Sequence, residues 1–306
     1  MTRIVVGYDM SVEAERALDV VAGATWPAGT IVRLVTGSRG LANERSSFTG
    51  EESKRHAKAV RTVLATAHQR ATTRLAVAGI AGEAVTLGGK PARAIVDDAR
   101  TFGAELIVVG APARSPILSA LLGSVSNEIA QSAPCPVLIV RVASLERVIL
   151  AADGSPAADA AVDVVASWPL FANAEIRVVV VAAPPSRYVD GVLSADEIEE
   201  RHAAELEHGQ ADATSVIHAT VDSLAGHGNR VTGEIRTGNA ADEVVAAANG
   251  WPADLVVVGS PGGSFVRRVI LGSVAQTVAH EVHASVLIVR PRPDEPLPDD
   301  AKAERR

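Results

Sequence analysis

Gly259–Ser273 reads GSPGGSFVRRVILGS, between an unbroken apolar run, Leu255-Val256-Val257-Val258, and a helix-like run that begins at Val274. Strand, glycine-bearing loop and helix in that order present several backbone N–H groups to an anion. The positive end of the helix dipole stands behind them. Glycine lets the backbone come close to a ligand and adopt positive φ, and Ser273 adds a hydroxyl near the helix start. A second copy lies 149 residues earlier: Gly110–Ser124 reads GAPARSPILSALLGS, after the strand Leu106-Ile107-Val108-Val109.

Working outward, each copy sits in a larger repeat. Ile4-Val5-Val6 is a short apolar strand stopped by Gly7, with Tyr8-Asp9-Met10-Ser11 after it. Ser11 is a good N-cap for a helix from Val12 to about Ala24, because Ala14, Ala17, Leu18 and Val21 recur at helical spacing. Trp26-Pro27 closes that helix, and Ile31–Val35 is a second strand. The second half replays this with Val148-Ile149-Leu150, then Asp153-Gly154-Ser155-Pro156, a helix through Val165 and a strand over Ile176–Val181. The segments 37–50 and 184–194 diverge as loops, and charged helices follow near Glu51–Gln69 and Ala195–Leu224. Third strands are expected near Ala84–Leu87 and Val231–Arg236, and fifth strands at Val137–Val140 and Val286–Val289.

Strand and helix alternate throughout, which calls for an α/β fold: two tandem open parallel five-stranded sheets, helices on both faces, right-handed crossovers. The expected boundaries are 1–143 and 144–291, with a proline-rich, polar and disordered tail at 292–306. Such sheets bind ligands beyond the carboxyl ends of their strands, where the connections reverse direction. Asp9, Asp153 and both glycine loops fall at such ends.

These residues resemble the universal stress protein family, in the version that binds ATP through glycine, two residues, glycine, nine residues, glycine and Ser or Thr. Gly259, Gly262, Gly272 and Ser273 fit that pattern fully. Gly110, Gly123 and Ser124 fit it, but Ala113 stands at the second glycine position. A positive φ at Ala113 would cost on the order of 1–2 kcal/mol. The resemblance covers nearly the whole chain as two tandem units and implies a Rossmann-like fold. It implies nucleotide contacts through Gly110, Ala113, Gly123, Ser124 and Val125 in the first unit, and through Gly259, Gly262, Gly272, Ser273 and Val274 in the second, with the phosphates on the loop amides and the Ser273 hydroxyl and the ribose near Gly259. It also places Asp9 and Asp153 on the nucleoside, and the adenine ring against the backbone at Thr36 and Val181. For the two aspartates the alternative is an Asx turn that starts the next helix. Ser11 and Ser155 already supply caps, so the ligand role is favoured. Arg114, Arg267 and Arg268 can neutralise phosphate charge or simply be solvated.

Composition bounds the rest. The 306 residues are 47% hydrophobic and only 3% aromatic, so the cores must be built from Val, Ala, Leu and Ile. A net charge of −7 argues against nucleic acid, which needs a clustered basic face. Cys135, the single cysteine, excludes an internal disulfide and a cysteine zinc cage and reads as a small buried filler. No apolar run approaches the ~20 residues that span a bilayer, and Met1 leads straight into a strand with no charged-then-apolar leader. Both point to a cytoplasmic protein. His280 and His283 lack a third partner, so Mg²⁺ or Mn²⁺ is expected only as a companion of the phosphates.

Neither a Walker loop nor GxGxxG is present, and SGGxDS, the signature of relatives that act at the α-phosphate, is missing. The expected function is therefore nucleotide-dependent regulation in a stress response or growth control, without a catalytic residue. Expected partners are an adenine nucleotide, a second copy in a homodimer with the halves pairing through their fifth strands, and an unknown regulatory protein. A slow ATP hydrolase, an adenylyl-transferring enzyme and a nucleotide-free scaffold are the alternatives.

Overall fold

The computed structural model describes residues 2–38, 51–112, 122–185, 195–226, 229–261 and 271–291, without the side chains of 38, 51–54, 56, 57 and 195. The chain divides into two compact units, with the break in sequence between Ser144 and Leu145.

In the first unit the elements run β1 (Arg3–Gly7), α1 (Val12–Gly23), β2 (Ile31–Ser38), α2 (Glu51–Val77), β3 (Ala81–Gly88), α3 (Pro91–Phe102), β4 (Leu106–Gly110), α4 (Ser124–Ser132) and β5 (Val137–Val140). The strands lie in the order β3-β2-β1-β4-β5, each parallel to its neighbour. From β1 the chain steps outward to β2 and β3, then returns to the other side of β1 for β4 and β5. With right-handed crossovers that reversal puts α1 and α2 on one face and α3 and α4 on the other. The point of reversal lies between β1 and β4.

The second unit repeats the plan with β6 (Arg147–Ala151), α5 (Pro156–Ser167), β7 (Glu175–Ala182), α6 (Ala195–Ala225), β8 (Arg230–Thr237), α7 (Ala240–Gly250), β9 (Leu255–Gly259), α8 (Ser273–Glu281) and β10 (Ser285–Val289). Its strand order is β8-β7-β6-β9-β10, with β6 parallel to both β7 and β9. The reversal falls between β6 and β9. A short 3-10 turn at Pro169–Phe171, absent from the sequence reading, carries the chain from α5 to β7 and buries Phe171 completely.

The core is aliphatic. Ile4, Val5 and Val6 in β1, Leu106, Ile107 and Val108 in β4, and Leu255, Val256 and Val257 in β9 are wholly buried. Each such side chain contributes roughly 1.5–3 kcal/mol when taken from water, which is why central strands read as unbroken apolar runs. The third strands extend further than expected, to Ala81 at the start of β3 and Arg230 at the start of β8, where Glu83 and Arg230 pair with Arg33 and Glu175 of the neighbouring strands instead of being buried. α2 likewise runs on to Val77, past the expected Gln69. Among the described residues no helix is long and apolar enough to cross a membrane.

Candidate functional site

Ser11 and Ser155 cap the first helix of their units. The Ser11 hydroxyl accepts from the Ala14 N–H at 3.1 Å, and that of Ser155 from the Ala158 N–H at 3.3 Å. Asp9 and Asp153 brace the same turns: Oδ1 of Asp9 accepts the Ser11 N–H at 3.0 Å, and Oδ1 of Asp153 accepts the Ser155 N–H at 2.9 Å. The Asx turn is thus present in both units, in addition to the serine caps. In each aspartate the second carboxylate oxygen takes no bond from the described residues. Between aspartate and serine the backbone turns left-handed, at Gly154 (φ 73°) in the second unit and at Met10 (φ 65°) in the first.

In the second unit these parts enclose a cleft at the carboxyl ends of β6, β7 and β9. It holds about 80 Å³, or about 460 Å³ with its open mouth. Asp153, Val181, Gly259 and Val274, four residues singled out from the sequence, line it together. The sequence reading misses its floor: Ala151 and Val179, with Ala240 and Val244 of α7 as one wall. The signal was available. Val179 and Val181 are two apart on β7 and therefore share a face, and α7 starts on the side of the sheet where the direction reverses.

Gly272 is the N-cap of α8 and Gly123 that of α4, and neither helix has a side-chain cap. The first-turn amides of Ser273 and Val274, and of Ser124 and Val125, therefore lie at uncapped, electropositive helix ends. The loop ends are pinned differently in the two units. In the second, the Gly272 N–H donates to the buried Ser260 hydroxyl at 3.3 Å. In the first, alanine fills the corresponding position 111, and the Ser126 hydroxyl instead donates to the Gly110 carbonyl at 3.2 Å.

Two expectations need correction. The described loop glycines are not left-handed: Gly123 has φ −53° and Gly272 φ −59°, and neither Gly110 nor Gly259 has a positive φ. Gly110 and Gly259 are required by packing. A Cβ on Gly110 would stand 2.2 Å from the Glu13 carbonyl oxygen in α1, and one on Gly259 would stand 2.3 Å from that of Ala157 in α5.

Thr36 and Val181 are not counterparts either. The register pairs Gly7 with Val35 and Ala151 with Val179, so Val181 corresponds to Gly37 and Thr36 to Val180. The buried Thr36 hydroxyl is turned to α2, donating to the Tyr8 carbonyl at 2.5 Å with His68 Nε2 at 2.9 Å. Burial lowers the pKa of that imidazole from its ordinary value. Ala113, Gly262, Arg114, Arg267, Arg268, the two divergent loops beyond their first residues and the segment 292–306 lie outside the described residues.

The first unit trades volume at the cleft position. Gly7 stands where the second unit has Ala151, and a Cβ there would lie 2.9 Å from Ile95 Cδ1 of α3. Ile95 is the fifth residue of its helix, as the smaller Val244 is in α7. Gly37 stands in place of Val181, against Pro91 Cα at 2.4 Å from a notional Cβ. The strand is small where the helix is large, and the reverse holds in the second unit.

Likeness to known proteins follows this geometry. The universal stress protein YxiE of Bacillus subtilis is 40% identical over 73 residues, 24% of this chain and about half (49%) of that protein. A universal stress protein from Thermus aquaticus is 33% identical over 140 residues, 45% of this chain and 97% of its own length. The crystal structure of a universal stress protein from Archaeoglobus fulgidus superposes with a TM-score of 0.66 at 19% identity, covering 95% of this chain and 98% of that one. That likeness shows a shared fold over both units. The universal stress protein family matches residues 1–141 and again 144–290, and the chain belongs to that family as a tandem pair.

Proposed function

We propose that the second unit binds an adenine nucleotide, ATP by the glycine pattern, and that occupancy sets the surface the protein offers to a regulatory partner. The observation that carries this reading is the cleft in which Asp153, Val181, Gly259 and Val274 meet at the uncapped start of α8. An apolar floor of Ala151 and Val179, with Val244 in the wall beside it, suits the flat face of a purine. The free Asp153 oxygen suits a ribose hydroxyl, and the α8 amides suit the phosphates. Three or four hydrogen bonds to a charged group, each worth roughly 1.5–3 kcal/mol, support micromolar affinity once association costs are met. Gly262 and Ser273 belong to this proposed phosphate loop. Gly110, Ala113, Gly123, Ser124 and Asp9 would form the weaker site of the first unit.

Among the described residues no group of three or more His, Cys, Asp or Glu side chains can hold a metal ion. A divalent cation would arrive with the phosphates, neutralising their charge. The reading is of a cytoplasmic binding protein whose output is its liganded state, in a stress response.

Ala240 is exposed at the lip of the cleft, so Ala240→Trp can plug it without disturbing the core. ATP at 100 times its dissociation constant should stabilise the wild type by about 2.7 kcal/mol. The plugged variant should lose most of that effect while unfolding normally without nucleotide. Equal stabilisation of the two proteins would refute the assignment to this cleft.

A further inference from the structure

α2 and α6 hold the same place in their units, between the second and third strands, and bury the same kind of face. Leu64, Ala71 and Leu75 are buried in α2, and Ala213, Ile217 and Leu224 in α6. Nothing in that role asks for opposite charge, yet the two helices have diverged to it. α2 carries six Lys and Arg against two acids, and α6 eight acids against one Arg.

The charges are available. Arg55, Lys58, Arg61 and Arg70 of α2 are exposed and in no ion pair with the described residues. Arg74 is engaged, with Glu15 at 3.1 Å and Asp19 at 2.6 Å. On α6, Asp196, Glu199, Glu200, Glu207 and Asp222 are exposed and likewise in no ion pair with the described residues, while Asp212 meets His208 at 3.4 Å. Beside the basic face a cavity opens between α2 and the start of α1, where Met10 is 40% and Val63 59% exposed. α6 offers half-buried Ile198 and Leu206 among its acids.

We propose that α2 of one copy docks on α6 of a second copy of this chain, basic face on acidic face, with Val63 and Met10 as the apolar centre. A net charge of −7 opposes association at long range. Within a Debye length, about 10 Å at 0.1 M salt, the local faces outweigh that dispersed charge. The overall negative charge also disfavours a nucleic acid on α2, whereas a complementary helix of comparable length is carried by the chain itself. This contact needs no nucleotide and stands apart from the binding reading.

The test is sedimentation velocity of the full chain, of a triple variant Lys58→Glu, Arg61→Glu, Arg70→Glu, of a triple variant Glu199→Lys, Glu200→Lys, Glu207→Lys, and of the two variants mixed. The wild type should associate at ~50 mM salt and do so at least about tenfold more weakly at ~500 mM. Each variant alone should lose the salt-sensitive step, and the mixture should regain it, because its reversed faces are again complementary. A wild type that stays a single chain at low salt, single variants that associate like the wild type, or a mixture that stays apart would each overturn the proposal. So would a single-chain wild type held by a polyanion column through α2, which would assign that face to an anionic partner.

Discussion

A Cβ on Gly259 would stand 2.3 Å from the carbonyl oxygen of Ala157, in the first turn of α5. The glycine at the mouth of the cleft is thus fixed by a helix backbone crossing the end of β9. Its counterpart Gly110 meets Glu13 in the same way at 2.2 Å. This contact brings the α5 N-terminus, with Asp153 and Ser155, over the end of the strand that feeds the glycine-bearing loop.

Gly259→Ala should therefore cost the second unit about 1–3 kcal/mol, the range for overpacking against atoms that cannot turn away. Gly123→Ala is the contrast. Beyond its chain neighbours no atom lies within 4 Å of a Cβ there, and its φ of −53° suits any residue, so stability should change by less than about 0.5 kcal/mol. Urea unfolding of the two variants checks both; equal losses would contradict the packing explanation.

Gly7→Ala in the first unit should lose stability against Ile95 Cδ1, and Ile95→Val should remove the offending methyl. The two changes together should cost less than their sum, with a coupling of about 0.5–1 kcal/mol measured by a double-mutant cycle. Strict additivity would show that the glycine is not paired with the larger helix residue.

Met10, at φ 65°, occupies a position where the second unit has Gly154 at φ 73°. Met10→Gly should stabilise the first unit by about 1 kcal/mol through relief of left-handed strain. Gly154→Ala should destabilise the second by about 1–2 kcal/mol. Thermal unfolding with the signs reversed would show that the turn relaxes when substituted.

His68 is held neutral by burial beside Thr36, with its pKa below the ordinary value. The unfolded chain takes up that proton first as pH falls below about 6.5. Its contribution is then intact above that value and is lost as pH drops through the lowered folded pKa. His68→Gln should show a shallower loss of stability between neutral pH and pH 5 than the wild type. Parallel curves would contradict this.

The fold is legible in the sequence because buried parallel strands must be apolar, and because the repeat prints the same order twice. The cap serines can be read from the chain, since capping depends on residues three apart. The site is only partly legible. Asp153, Val181, Gly259 and Val274 do meet in one cleft, but a left-handed backbone is not what Gly110 and Gly259 supply. Their need for glycine comes from α1 and α5 crossing in space, a long-range contact that local spacing does not encode. Thr36 and Val181 look equivalent as the ends of the second strands, and one residue of slip turns a side chain to the opposite face. Ala151, Ala240 and Val244 escape notice because small aliphatic residues look like core until the topology leaves a gap above them.

The central claim is tested most directly by a crystal structure of the full chain grown with excess ATP and magnesium. The account predicts a nucleotide in the cleft of the second unit, its base over Ala151 and Val179, its ribose at Asp153 and its phosphates at the start of α8. A cleft that stays empty, or fills with the protein's own side chains, would contradict it.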